Sequence, residues 1–338
     1  MLNLAGLRAR ARTFRQGIHP PEHKAPTSGL PIERAPFVDE YVLPLGQHIG
    51  APSVAVVQPG DDVRRGDKLA DPGGFVSVAL HAPVAGRVTA IELRLHPSGR
   101  MVPSIVLRRD PWSSQQLVGE PTDPTALESG EALKLIQHGG IVGLGGAAFP
   151  SHVKLAVPDG KVVDEVVING CECEPYLTCD HRTMLEESHA VIRGVRIAAA
   201  HLGVEKSIIG VEANKADAAA ALQEIVADDP GIEVKTLQVK YPQGAEKMLI
   251  KAIFGVDVPP GKLPLDLDMV VNNVGTMAAL ANWFDRGIPL IERTMTLAGP
   301  GVRRPANLVV PVGTPVSQVL AHVGGSPRKP AVWSWAAP

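Results

Sequence analysis

The amino-acid sequence predicts an all-β domain, then an α/β domain with a largely parallel sheet, then a short β-rich segment. Three observations carry this. Over residues 40–108, short apolar runs alternate with glycine and proline turns. From about residue 131, β-like apolar runs alternate with amphipathic helical runs. Residues 289–323 return to short β-like pieces.

Taken in order, residues 1–35 lack periodicity and contain Pro20, Pro21, Pro26 and Pro31, which predicts an extended arm. Arg8, Arg10, Arg12 and Arg15 come without an apolar core and read as a solvated leader, not a signal peptide. The β domain, residues 36–110, takes its strands from Tyr41–Leu45, Ser53–Val57, Val76–Leu80, Gly86–Ile91 and Ser104–Leu107. Residues 110–128 are polar and proline-containing, a linker. The α/β domain, residues 125–290, opens with a helix over Glu131–His138, and a second helix starts near Ser151, since Pro150-Ser151 suits a helix start. Val163–Asn169 follows as a strand. One helix then covers His181–Leu202, where Met184, Val191, Val195, Ala198 and Leu202 recur at helical steps with one longer gap. Next come strand Ser207–Glu212, a helix capped by Asn214, strand Val234–Val239, helix Gly244–Phe254, strand Met269–Asn273 and helix Thr276–Phe284. Residues 291–325 form the last β-like segment, with a short helix near Val316–His322. Residues 326–338 have no pattern and place Trp333 and Trp335 beside alanines and prolines.

Composition narrows the function. With 338 residues, 45% hydrophobic and 20% charged, the chain has material for more than one core. A net charge of −2 argues against nucleic-acid binding, and no apolar run reaches transmembrane length. Aromatics make up only 4%, so each exposed ring is worth weighing as a stacking surface. Cys171, Cys173 and Cys179 are the three cysteines. Their clustering suggests a reducing compartment and a local role; they are one short of a four-thiolate cluster and lack its spacing.

The central stretch is Gly139 to Leu155, with five glycines within Gly139–Gly146 and Lys154 beyond. Glycine-rich turns that feed a helix start suit phosphates, because small residues let backbone N–H groups approach the anion. The same composition also serves a tightly packed crossing loop. The spacing is not that of a dinucleotide fingerprint, since Ala148 stands where the third glycine would be. If that position requires φ > 0, the alanine costs roughly 1 kcal/mol or more. Three further segments follow predicted strands: Asn169-Gly170-Cys171-Glu172-Cys173-Glu174, Tyr241-Pro242-Gln243-Gly244-Ala245-Glu246 and Asn272-Asn273-Val274-Gly275-Thr276. Carboxylates and amides at strand ends suit a polar heterocycle or ribose, and equally suit turn capping.

Two resemblances complete the reading. The order of turns from Val57 to Val88 resembles biotinyl and lipoyl carrier domains, small barrel-sandwich folds. The hairpin Asp71–Phe75 lacks the carrier lysine, so the architecture is expected without the covalent cofactor. The α/β domain resembles the flavin- and NADH-binding subunit of respiratory complex I. The whole chain is more similar to the RnfC family, a component of the Rnf ion-translocating electron-transport complex, through Gly17–Glu22, Gln47–Pro52, Gly140–Leu155, Asn169–Asp180 and Tyr241–Lys247. The resemblance implies a barrel-sandwich-hybrid domain, an FMN/NADH domain and a partial SLBB segment. It implies electron transfer between NADH and ferredoxin through FMN, coupled to ion movement. It implies other Rnf membrane subunits as partners, at the cytoplasmic face of the bacterial inner membrane. Carried over by position, Gly143, Gly145 and Gly146 approach the FMN phosphate and Lys154 pairs with it. Phe149 stacks near the nicotinamide, and Asn169 and Glu174 lie beside the two rings. Gly244 and Glu246 line the same cavity; Asn272, Asn273 and Thr276 contact the flavin. Leu144, Cys171 and Ala245 depart from the complex I pattern. The family's ferredoxin-like domain with two [4Fe–4S] clusters is expected to be missing here, with residues 326–338 an aberrant tail from a truncation or frame change. A cobalamin-reductase-like flavoprotein and an inactive assembly module are the rival readings.

Overall fold

The computed structural model describes residues 13–117 and 119–325, so the tail at 326–338 lies outside the described residues. The chain divides into two compact units that interleave along the sequence: residues 1–31 with 157–278, and residues 32–156 with 279–338.

The β unit, residues 32–156 with 279–338, holds three sheets. The first is antiparallel in the order β2 (Glu40–Pro44), β8 (Met101–Arg109), β7 (Gly86–Leu95), β4 (Asp62–Val63). The second is β3 (Val54–Ala55), β5 (Lys68–Asp71), β6 (Leu80–His81), also antiparallel. Tyr41, Leu43, Leu69, Val88, Ile105 and Leu107, inward residues of β2, β5, β7 and β8, are buried together as one core with Val84 from the bend before β7. The expected strand Val76–Leu80 shrinks to Leu80–His81 because its earlier backbone groups are used elsewhere. Val76 O accepts from Ala51 N and Ala79 N donates to Gln137 O. The third sheet has β14 (Ala306–Pro311) at its centre, between antiparallel β13 (Glu292–Leu297) and parallel β1 (Ile32–Arg34). Leu297, Leu308, Val310 and Val319 of helix α9 (Val316–His322) fill its core.

The α/β unit, residues 1–31 with 157–278, is built on a four-stranded sheet. Its order is β11 (Ile232–Leu237), β10 (Lys206–Glu212), β9 (Glu165–Gly170), β12 (Met269–Asn273), all parallel. The chain steps outward from β9 to β10 to β11, then returns to the far side of β9. The strand order therefore reverses between β9 and β12, and open α/β sheets bind ligands at the carboxyl ends flanking such a point. The helices are α4 (Cys179–Glu186), α5 (Ser188–Leu202), α6 (Ala216–Ile225), α7 (Glu246–Phe254) and the start of α8 (Val274–Arg286). In α5 a Cβ at Gly194 would lie 1.9 Å from Met277 O, so glycine is required for the close approach of the two backbones. The single helix expected over 181–202 is two, because Glu187 leaves helical dihedrals (φ −120°, ψ 25°). Asn214 does not cap α6. Its side chain donates to Glu22 Oε2 and accepts from Lys215 Nζ, and the helix starts at Ala216 after a 3₁₀ turn.

The arm is only partly extended. Its residues 25–28 form a helical turn, α1 (Ala25–Ser28), and Ile32–Arg34 join the third sheet as β1.

Candidate functional site

In the α/β unit, the carboxyl ends of β9 and β12 carry the expected asparagines. Asn273 pairs across the sheet with Asn169. Asn169 uses both ends of its amide internally: Oδ1 accepts from Cys171 N at 3.0 Å and Nδ2 donates to Gly244 O at 2.8 Å. It thereby ties β9 to the turn before α7. Asn273 Nδ2 donates to Asp180 Oδ2 at 2.7 Å and its Oδ1 accepts from Gly275 N at 2.8 Å, capping the start of α8. Asn272 is buried with Nδ2 unpartnered, and Thr276 is fully buried. Gly244 is fixed by space, since a Cβ there would lie 2.3 Å from Cys171 O. Glu174 and Glu246 are half-buried.

Beneath the loop that follows β9 lies a cluster of buried charges. Lys24, 8% exposed, donates from Nζ to the carbonyls of Glu172 (2.8 Å), Glu174 (2.9 Å) and Leu177. Lys215, 1% exposed, donates to Glu212 Oε2 at 2.7 Å, Asn214 Oδ1 at 3.1 Å and Glu172 O at 3.3 Å. Burial lowers the Lys24 pKa, partly offset by the Glu172 carboxylate. Burial also acts to lower Lys215, but the carboxylates of Glu212 and Glu172 outweigh it and hold the ammonium charged. Glu172 Oε1 caps α4, accepting from Asp180 N at 2.9 Å and Cys179 Sγ at 3.2 Å. Glu172, Cys179 and Asp180 are close enough to share a cation, yet Lys24 Nζ stands 3.8 Å from Glu172 Oε2 and supplies the positive charge already. The cysteines have separate partners. Cys171 Sγ faces Gly210 O, and Cys173 Sγ accepts from Gly244 N. Burial raises both thiols, Cys173 to about 11, which disfavours the thiolate that metal ligation needs.

In the β unit, the glycine-rich stretch joins helix α2 (Ser129–His138) to helix α3 (Ser151–Leu155). Its ends are stapled: Val142 bridges Pro150, Gly143 N donates to Phe149 O at 2.8 Å, and Ser151 N donates to Ile141 O at 3.0 Å. The lobe between them leaves Gly145, Gly146 and Ala147 exposed, and Arg293 donates to Leu144 O on it. Ala148 sits at φ +51°, the conformation that its glycine-like position implied. The helix after the lobe is a single turn, so its terminal charge is weaker than the half charge of a long helix. Lys154 and Phe149 are half-buried, and Ser151 Oγ is buried and unpartnered. The hairpin where carriers bear lysine is braced instead. Gln137 Nε2 donates to Gly74 O and Ser77 O, and His152 Nε2 contacts Phe75 O at 2.7 Å.

Comparison with known proteins bears on the whole chain. The RnfC barrel sandwich hybrid domain matches residues 12–111, the Nuo51 FMN-binding domain residues 136–282 and the SLBB domain residues 294–333. The C subunit of the Na(+)-translocating ferredoxin:NAD(+) oxidoreductase complex of Acetobacterium woodii is 44% identical over 319 residues, 94% of this chain and 72% of its own. The chain belongs to the RnfC family. The proton-translocating counterpart from Clostridium ljungdahlii is 43% identical, over 94% of this chain and 70% of its own. The C subunit of the ion-translocating oxidoreductase complex of Rhodobacter capsulatus is 40% identical over 94% of this chain, which spans 62% of that relative. Within the RnfC match, the barrel region at 12–111 includes residues 13–31, which fold here with the α/β unit.

Sequence reading missed Lys24, Lys215, Glu212 and Gln243. The lysines sit in polar stretches that read as solvated. Gln243 lies within the Tyr241–Glu246 segment, fully buried with neither amide atom partnered, and only the packing shows it.

Proposed function

We propose that this chain is an FMN-binding subunit that passes electrons between NAD(H) and ferredoxin within an ion-translocating complex. The carrying observation is the 44% identity to the Acetobacterium woodii protein over nearly the whole chain. The relatives' names differ in the ion, sodium or proton, so the ion is not carried over. Other subunits of the complex and ferredoxin are the proposed partners, at the cytoplasmic face of a bacterial inner membrane. A peripheral placement agrees with the described helices, none of which is long and apolar enough to cross a membrane.

Each unit, taken by itself, offers buried polar groups that support the flavin reading. Ser151 Oγ at the foot of the glycine-rich lobe and Asn272 Nδ2 at the strand ends are buried polar atoms without protein partners. Such groups are destabilising unless something satisfies them. FMN would supply an acceptor for hydride that can release electrons singly. The protein's share is positioning. Exposed Gly145 and Gly146 admit the phosphate to the backbone and Lys154 supplies its counter-charge. Gly143 closes the lobe, since its N–H is used by Phe149 O. Phe149 offers a ring face to the nicotinamide. Glu174, Glu246 and Asn272 contact the flavin and dinucleotide; fully buried Thr276 and tightly packed Gly244 shape the strand ends from within. Asn169 and Asn273 hold the strand ends in place through the bonds described above.

The test is reconstitution of the full chain with FMN under anaerobic conditions. Bound flavin absorbance should bleach on adding NADH. Lys154→Ala should weaken FMN binding by ~1.5–3 kcal/mol, the range for a charge-assisted contact. A chain that binds no flavin would refute the reading; unchanged affinity in the variant would remove Lys154 from the site.

A further inference from the structure

Residues 14–28 lie against two of the three strand-end segments of the α/β unit. At the Tyr241–Gly244 turn, Ile18 pairs with Tyr241 through backbone bonds of 2.9 Å in both directions, and Lys240 Nζ donates to Phe14 O at 2.7 Å. Gly17 fits there only as glycine, at φ +117° with Tyr241 O 2.8 Å from where a Cβ would be. At the Cys171–Thr178 loop, Tyr176 N donates to Glu22 O at 2.9 Å and Thr178 Oγ1 donates to Thr27 Oγ1 at 2.8 Å. His23 and Tyr176 stack with ring centroids 4.9 Å apart and planes 12° off parallel. Both hold positive φ, 50° and 71°, a region that side chains disfavour. Lys24 completes the contact. Its three N–H donors match three carbonyls of one loop, an arrangement that fixes that loop's backbone path from Glu172 to Leu177.

We propose that residues 14–28 are a strap that sets the dinucleotide-facing loops, with Lys24 a positioning residue that places Glu174 through the carbonyls on either side of it. This rests on the FMN/NADH reading above. The strap lies outside the FMN-domain match at 136–282, so this part of the site is contributed by the chain's opening segment.

The experiment compares the FMN-loaded full chain with Lys24→Met, Lys24→Arg and Thr27→Val, using NADH and ferricyanide. Lys24→Met should raise KM for NADH about tenfold while kcat changes by about twofold or less. A merely structural role would lower the active fraction, and hence kcat, with KM unchanged. Lys24→Arg should fall between, because a planar guanidinium cannot serve three carbonyls in the same way. Hydrogen exchange at the Tyr176 amide, whose acceptor is on the strap, should speed up about tenfold in Lys24→Met whether or not flavin is bound. If Lys24→Met does not fold, Thr27→Val leaves the ammonium in place and should raise KM about threefold. Unchanged KM and unchanged Tyr176 exchange in the folded variants overturn the strap. Wild-type protein that binds no flavin overturns the functional reading instead, and the exchange arm then decides alone whether Lys24 orders the loop.

Discussion

Replacing Ala148 with glycine should stabilise the protein, against the usual direction for that change. Ala148 is held at φ +51° in the glycine-rich lobe. A left-handed conformation costs an L-residue about 1–2 kcal/mol relative to glycine. Glycine's greater freedom in the unfolded chain offsets about 0.4–1 kcal/mol of that. Taking the middle of each range, the net expectation for Ala148→Gly is a gain of ~0.8 kcal/mol, or a rise of about 2–3 °C in the unfolding midpoint of a unit this size. Ala147, the exposed neighbour, does not have positive φ. Ala147→Gly should therefore lower stability by about 0.4–1 kcal/mol. Calorimetry and urea titration of both variants beside wild type make the comparison. If both substitutions lower the midpoint, strain at Ala148 is not the controlling term.

Gly244→Ala should destabilise the α/β unit by about 1–3 kcal/mol and loosen the Asn169–Gly244 bond, because its Cβ would meet Cys171 O at 2.3 Å; urea unfolding reads the first effect. Lys215→Met should cost ~3–5 kcal/mol by leaving the Glu212 carboxylate buried and unpaired, and adding Glu212→Leu should recover most of the loss. His81 is buried with Nδ1 unpartnered, and burial, with lesser effects from Lys68 and His138, lowers its pKa to about 4. The unfolded chain takes up this proton near pH 6.5 and the folded one does not, so stability should fall as pH drops from about 6.5 towards 4, by up to roughly 3 kcal/mol. His81→Asn should flatten that part of the stability–pH curve; an unchanged slope would assign it to other groups.

Much of the candidate site is legible because its segments are local in sequence. The glycine-rich lobe, the asparagines after β12 and the segment after β9 each announce themselves within a few residues. The sheet was legible for a similar reason, since β9, β10, β11 and β12 are short apolar runs between helical ones. What was hidden is long-range. Lys24 reads as a surface residue until its three carbonyl partners, about 150 residues away, are in place. Asn214 has the composition of a helix cap, and the approach of Glu22 and Lys215 uses its amide instead. The break at Glu187 fell in the single seven-residue gap of an otherwise helical pattern, where periodicity carries little information. The interleaving of the two compact units leaves no local mark in the sequence.

That interleaving bears on synthesis. β1 at Ile32–Arg34 pairs with β14 at Ala306–Pro311, and residues 14–18 pair with a turn at Lys240–Tyr241. A ribosome adding about 5–20 residues per second delivers these partners on the order of ten seconds to a minute after the early segments emerge. Until then the edge strand β1 and the backbone of Ile18 lack their native partners, and the Phe14 ring lacks Lys240. Residues 14–18 and 32–34 are made long before the segments they pair with. Slowing translation after residue 34 would lengthen their exposure to chaperones and to other nascent chains, a sensitivity that a chain with its domains in series would not show.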